Sequence, residues 1–396
     1  LIFKILNSGD FLSEVEKKEN KSEIIADSKK LLPLIAEKAL RYDLTVPFAR
    51  VVVMHRNDIT IPFKRYQMQP VWRADRPQKG RYREFYQCDI DVVGSNSVIF
   101  ESEFLSIYDE ALHLLGIQNY TIKINHRKIL SGIAEWIASE DLLTDFCVAM
   151  DKLDKVGKSG VEDELRNRQF SDAAILTLQP IFELDGDLES RLSKLEELLK
   201  NTKSGPTGIQ ELRKILQLHE SLPRFSGKIV FDVTLARGLN YYTGTIFEVT
   251  VENAGVGSIG GGGRYDNLTG VFGGEALSGV GISFGADRIY DVMLTQNLFE
   301  DLQTSPVQVL IFQLEEKYLP EYMKLATELR NAGISSEVFP DQTKMQKQFQ
   351  YAEKKKIPFV LIAGESEFQN GTLQKKDIFS GQQQTISRNE IIQSFR

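Results

Sequence analysis

The chain has 396 residues, enough for two or three domains. It is 42% hydrophobic and 26% charged with a formal net charge of −7, an ordinary globular composition without a global basic field for nucleic acid, so any polyanion site must be a local patch. Two cysteines (Cys88, Cys147) and four scattered histidines give neither a disulfide framework nor metal-ligand spacing, and no segment reaches the ~20 apolar residues needed to span a membrane, which makes a cytoplasmic setting the default expectation.

In chain order, residues 1–12 read as a short strand and loop, 14–25 as a charged loop or frayed helix, and 31–41 as a helix. In the stretch RYDLTVPFAR, Pro47 is expected to open a helix over 48–56, because proline is tolerated at the first helical position. Asp43 reads either as a cap or turn acid, or as a ligand for an amine beside Thr45.

The segment VWRADRPQKGRYREFYQCDIDVVG (71–94) predicts a strand ending near Arg73, a charged loop, and a second strand from Phe85 to Val93. Seven basic residues and one acid lie between Lys64 and Arg83. Arginine forks match phosphate oxygens in two-pronged geometry, so the loop suits a polyphosphate. On the second strand, period-two alternation puts Tyr86, Cys88, Ile90 and Val92 on one face and Gln87, Asp89 and Asp91 on the other. An amide and two acids in a row are costly to bury unless a cation or donor meets them. The plain alternative is a solvated basic turn.

Residues 101–115 carry an apolar stripe at helical spacing, closed by Gly116, and 120–125 alternate as a strand. From about Arg127 to Pro223 the pattern is helical and highly charged, which reads as a separate helical insertion. Strands return at 228–234 and 243–251, with LARGLNYYTG between them. Arg237, Tyr241 and Tyr242 there either face water at a turn or point into a cleft. The motif G-x-G-x-x-G at Gly255, Gly257 and Gly260 lacks a strand–turn–helix frame and is not read as a dinucleotide site. GGGGRYDNL (260–268) reads instead as tight backbone at a ligand's edge, where the missing Cβ permits close approach. GVGISFG (279–285) predicts a strand leading into a helix over 286–294. Arg288 falls in that helix's first turn, where a cation opposes the helix dipole, so it is expected to face an anion or acid. From Pro306, alternating strands and helices predict a C-terminal α/β domain with a mostly parallel sheet.

These stretches together — RYDLTVPFAR, the 71–94 hairpin, LARGLNYYTGTIFEV with GGGGRYDNL, and GVGISFGADRI — resemble the histidyl-tRNA synthetases, class II aminoacyl-tRNA synthetases, over nearly the whole chain. The resemblance implies an α+β fold: a catalytic core on an antiparallel sheet (1–126 and 226–303), a helical insertion (127–225) and a C-terminal anticodon-binding domain (304–396). The family's motif 1, which builds its dimer interface, would precede Leu1. The resemblance also implies a homodimer acting on histidine, ATP with Mg²⁺ and tRNA(His), with no membrane partner, no protein-held metal and no tightly bound cofactor.

Carried over by position, Arg73 would hold the ATP α-phosphate, Arg81 the terminal phosphates, and Arg288 the nucleotide. Asp43, Thr45, Gln87 and Asp91 would grip the histidine amine and neighbouring atoms. Tyr241, Tyr242 and Tyr265 would close on the amino acid, and Arg237 would contact its carboxylate and the α-phosphate as the catalytic cation. Lys375, Lys376 and Arg388 are candidate anticodon contacts. Two alternatives stand beside this reading: a synthetase-like regulatory protein that binds histidine without forming an adenylate, and a class II synthetase for another amino acid.

Overall fold

The computed structural model describes residues 1–236, 241–299 and 305–395. They form two compact units, Leu1–Phe299 and Glu300–Arg396. In the first, a short ribbon of β1 (Lys4–Ile5) and β2 (Lys38–Ala39) encloses α1 (Ser13–Glu16), α2 (Lys21–Ala26) and α3 (Ser28–Ile35). The helix expected over 31–41 therefore stops at Ile35. Ala36 leaves helical geometry, and the amide of Leu40 bonds to the carbonyl of Phe3 instead. Helix α4 (Thr45–Met54) starts ahead of Pro47, which sits in the first turn, where its missing N–H leaves no helical bond unmade.

The core of this unit is a seven-stranded sheet. Its strands are β3 (Phe63–Trp72), β4 (Glu84–Val93), β5 (Tyr120–His126), β6 (Lys228–Phe231), β7 (Thr245–Val251), β8 (Gly260–Tyr265) and β9 (Gly279–Gly285). The order is β3-β4-β9-β8-β7-β5-β6, antiparallel except between β5 and β6. The glycine run expected as ligand-edge backbone is an interior strand, and Gly260, Gly261 and Gly262 do line the cavity described below. A Cβ on Gly262 would lie 2.2 Å from the Gly281 carbonyl oxygen, and one on Gly263 2.5 Å from that of Thr245, so the neighbouring strands leave room for glycine alone.

Helix α5 (Ile99–Leu114) follows β4, and α6 (Arg127–Trp136) through α7 (Leu143–Met150), α8 (Leu153–Asn167, interrupted at Gly157), α9 (Asp172–Thr177), α10 (Gln179–Phe182), α11 (Leu188–Leu199) and α12 (Gly205–Glu220) lie between β5 and β6 in sequence. These helices are not a body apart from the sheet. Ile129, Leu212 and Ile215 belong to the same continuous core as Ile122, Phe231 and Val249. A buried ion pair fastens β8 to α5: Arg264 Nε donates to Glu101 Oε1 at 2.6 Å, while its other nitrogens donate to the carbonyls of Ser95 and Ser97 and to the Ser278 hydroxyl. Helix α13 (Ala286–Thr295) follows β9, as its sequence predicts.

The second unit contains β10 (Val309–Ile311), α14 (Leu319–Asn331), β11 (Ser336–Val338), α15 (Met345–Lys354), β12 (Phe359–Ile362), α16 (Glu365–Asn370), β13 (Thr372–Asp377) and β14 (Gln383–Ser387). Its sheet has the order β11-β10-β12-β13-β14, with an apolar cluster on each face. The parallel pairing expected holds for β11, β10 and β12. The other two strands pair antiparallel: β13 and β14 form the hairpin that the sequence around Ser380 and Gly381 predicts, its turn held by the Asp377 carboxylate accepting from the amides of Phe379 and Ser380, and β13 returns along β12 after α16. Lys375 corrects an expectation from sequence. It is 6% exposed, its Nζ donates to the Ser394 carbonyl at 2.5 Å, and it lies 3.8 Å from the Phe395 ring centroid and 4.5 Å from that of Phe359. Arg388 is paired with Glu328 at 2.6 Å.

Candidate active site

The β3–β4 hairpin reverses the usual arrangement of a half-buried sheet. Its apolar face is open: Tyr66, Met68 and Tyr86 are 76%, 62% and 52% exposed. Its polar face is buried, with Gln87, Asp89 and Asp91 at 9%, 2% and 1%. The register places Gln69, Gln67 and Arg65 of β3 directly opposite these three. The cation required by the buried acids is therefore Arg65. Its Nη2 lies 2.8 Å from Asp91 Oδ2 and donates to the Leu44 carbonyl, Nη1 donates to Gln67, and the guanidinium packs over the Phe48 ring.

Above this face lies a cavity of about 300 Å³, lined among others by Asp43, Thr45, Arg73, Gln87, Tyr241, Tyr242, Ser283, Gly261 and Arg288. Seven residues singled out in the sequence thus meet in one place, drawn from α4 and the residues before it, the residue after β3, strand β4, the segment before β7, and α13. Asp43 is both cap and wall: its Oδ1 accepts from the Val46 amide at 3.1 Å, and burial raises its pKa. Thr45 and Tyr242 both hydrogen-bond the Tyr241 hydroxyl, and burial pushes the two phenols above their ordinary range.

Arg73 is held between the rings of Tyr42 and Phe85, at 4.5 and 5.0 Å from their centroids. Its Nε donates to the Tyr42 carbonyl and its Nη2 to Gln87, so the guanidinium is oriented before any ligand arrives. Arg288 is tied to two loop carbonyls. Its Nε donates to the Gly80 carbonyl at 2.5 Å and its Nη1 to that of Ser258 at 2.6 Å, joining the arginine-rich loop to the turn before β8. The loop lies close against that turn, because a Cβ on Gly80 would come within 2.9 Å of Val256.

Three other expected residues do not line the cavity. Arg81 is exposed, although its neighbours Gly80 and Tyr82 do line it. Asp91 and Tyr265 lie behind the wall, where the Tyr265 hydroxyl donates to Asp91 Oδ1 at 2.7 Å. Arg237 lies outside the described residues.

Sequence reasoning missed Ser283, Phe85, Glu248 and Asp287, all in the lining. Ser283 was reachable: it is the polar residue of an otherwise apolar, glycine-spaced strand, and the register sets it opposite Asp89 on one side and Gly261 on the other. Its hydroxyl accepts from Gln87 Nε2 at 2.9 Å and hydrogen-bonds Asp89.

An antiparallel sheet carrying an arginine-rich hairpin loop, an acid-and-amide wall and an arginine in the helix after its last strand has the make-up of a class II aminoacyl-tRNA synthetase core. Comparison with known proteins narrows this. The sequence profile of histidyl-tRNA synthetase matches residues 30–289, and that of the anticodon binding domain matches 308–396. A histidine–tRNA ligase of Christiangramia forsetii is 52% identical over 392 residues, covering 99% of this chain and 85% of that protein. The histidine–tRNA ligase of Cytophaga hutchinsonii is 51% identical, covering 99% and 86%. The crystal structure of histidyl-tRNA synthetase from Nostoc sp. PCC 7120 superimposes with a TM-score of 0.78 at 33% identity, covering 90% of this chain and 84% of that one. The chain belongs to the histidyl-tRNA synthetase family.

Proposed function

We propose that this protein is a histidine–tRNA ligase in which the cavity on the β4–β9–β8 face activates histidine. The observation that carries the reading is the meeting, in that cavity, of an amine-binding set (Asp43, Thr45, Gln87) with two oriented arginines (Arg73, Arg288). A buried carboxylate and amide suit an ammonium group, while guanidinium forks suit phosphate oxygens. The histidine carboxylate attacks the ATP α-phosphorus in line. Pyrophosphate leaves with the electron pair of the broken P–O bond, and histidyl-adenylate remains. The 3′-terminal ribose hydroxyl of tRNA(His) then takes the histidyl group and AMP departs.

Positioning and charge neutralisation do most of this work, since the carboxylate nucleophile is already ionised. Arg73 meets the α-phosphate and Arg288 the nucleotide, exchanging a loop carbonyl for the ligand. Arg81 reaches the outer phosphates from the loop, and Arg237 bridges carboxylate and α-phosphate as the family resemblance implies. Tyr241 and Tyr242 wall the amino acid, with Asp91 and Tyr265 supporting the wall from behind. ATP enters as its magnesium complex. Glu248 and Asp287 in the lining fit a hydrated ion of the kind held by one or two carboxylates and phosphates.

The second unit binds the anticodon stem-loop, and the enzyme works as a homodimer in the cytoplasm. The exposed apolar row Tyr66, Met68 and Tyr86 on edge strand β3 and its neighbour supports a covered surface there. Among the described residues no helix is long and apolar enough to cross a membrane. The test is ATP–pyrophosphate exchange with each of the twenty amino acids. Exchange with histidine alone is expected. Histidine binding without exchange would overturn the reading in favour of a regulatory protein.

A further inference from the structure

The chain leaves β6 at Phe231 and enters β7 at Thr245, and between them lie Tyr241 and Tyr242 of the cavity lining and, in sequence, Arg237. The described residues on either side of Arg237 are fastened to the sheet. Lys123 and Asn125 stand two apart on one face of β5. Lys123 is directly opposite Glu248, which lines the cavity, so this is the face of the sheet that carries the site. Asn125 is 0% exposed and spends its amide on main chain. Its Nδ2 donates to the carbonyls of Val233 at 3.2 Å and Leu235 at 2.9 Å, and its Oδ1 accepts from the His126 amide at 2.8 Å. Beside it, Lys123 Nζ lies 2.7 Å from Asp232 Oδ2, while Asp232 Oδ1 accepts from the amide and hydroxyl of Thr234. At the far end the Arg127 amide donates to the Gly244 carbonyl, and the Thr243 amide to that of Arg264, both at 2.8 Å. Asn125 itself does not line the cavity.

We propose that Asn125 is a positioning residue for adenylate formation. By holding the carbonyls of Val233 and Leu235 it fixes the path by which the chain leaves β6 towards Arg237, and Lys123 assists through Asp232. The inference rests on the histidine-activating reading of the cavity, with Arg237 as its catalytic cation, and deepens it. The hold ends two residues short of Arg237 in sequence. A fixed cation lowers a barrier only from the right place, and a displacement of about 1 Å can cost about 10²-fold in rate. The residue type follows from the task. An amide offers two N–H donors for two carbonyls, a hydroxyl offers one, and an ionised carboxylate offers none.

The experiment is single-turnover adenylate formation by the full chain at saturating histidine and ATP. It compares wild type, Asn125→Ser, Arg237→Ala and the double variant, with the melting temperature of each. Asn125→Ser should lower the rate constant about 10- to 100-fold, with the ATP concentration for half-saturation unchanged. On the Arg237→Ala background the same substitution should cost less than about twofold, because no cation remains to be misplaced. Losses that multiply overturn the inference, since a mere piece of the fold lowers the rate alike on both backgrounds. An unchanged rate constant in Asn125→Ser also overturns it. Should Asn125→Ser fail to fold, Lys123→Met, at the partly exposed edge of the same turn, takes its place in the cycle. A loss of about tenfold is then expected, and the same two outcomes decide. An unchanged rate in Arg237→Ala alone removes the arginine's role and this inference with it. Failure of the wild type to form adenylate with histidine is a different result, overturning the proposed function itself.

Discussion

Lys375 on β13 and Asp89 on β4 are both ionisable side chains buried in a sheet, and their surroundings differ. Lys375 finds what it needs inside its own unit, a carbonyl from Ser394 and two aromatic faces. Asp89 does not: it has Ser283, the charge of Asp91 nearby, and one oxygen with no donor. Burial alone therefore leaves such groups undistinguished. What differs between these two is whether the fold completes the group's hydrogen bonds. Arg264 and Glu101 fall on the side of Lys375, mutually satisfied and supplemented by carbonyls. Arg73 falls between, oriented by the fold at Nε and Nη2 yet lining the cavity.

The largest effect that could break this division is Glu101→Ala. Removing one partner of a buried ion pair leaves an uncompensated charge and should cost about 3–5 kcal/mol of stability, read by chemical denaturation. A loss below about 1 kcal/mol would mean that Arg264 re-pairs, and its assignment to the fold would weaken. Arg73→Ala should act on rate rather than on stability. Adenylate formation should fall roughly 10²–10³-fold, equivalent to about 2.7–4 kcal/mol, in a single-turnover assay with folding unaffected. Arg237→Ala should lose at least as much, and unchanged turnover would remove its assigned role.

A further prediction concerns pH. Asp89 has a pKa of about 7 in the folded state against roughly 3.9 unfolded, so the folded protein binds that proton more tightly. Between about pH 4 and 7 the unfolded chain has released the proton and the folded chain retains it. Ligand-free stability should therefore decline as pH rises through that window and level off above it. Asp91, raised to about 6 chiefly by burial, acts in the same direction. Asp89→Asn should flatten the slope in a pH series of denaturation midpoints. An undiminished slope would mean that Asp89 is compensated by a donor of the protein.

Much of this was legible in the chain itself. The hairpin announced itself through strand alternation and seven basic residues, and the helix carrying Arg288 through its glycine-spaced approach. Three things were not legible, each for a physical reason. Gly260–Gly263 carry no side-chain pattern, so the ligand-edge backbone they form could not be read as an interior strand. Ser283 and Asp89 become neighbours only when β4 pairs with β9, a contact 194 residues apart in sequence. The six-residue helix α16 spans too few turns to show a period. A lysine also reads the same in sequence whether it is solvated or enclosed, which is how Lys375 came to be expected at an RNA surface.

Lys375→Met gives the smallest effect and the finest test of the comparison. Methionine keeps an unbranched stem and can contact the rings of Phe359 and Phe395 through sulfur. It gives up the hydrogen bond to the Ser394 carbonyl and the cation–ring attraction, while also removing the cost of burying an ammonium group, whose pKa burial lowers. These changes oppose one another, so the net shift in stability should stay within about 1 kcal/mol. Pyrophosphate exchange and tRNA affinity should both be unchanged, because the enclosed ammonium presents nothing to a ligand. A tenfold loss of tRNA affinity in a variant that still melts at the wild-type temperature would show that Lys375 is read by RNA. In that case satisfaction of a buried charge by the fold would no longer mark it as structural.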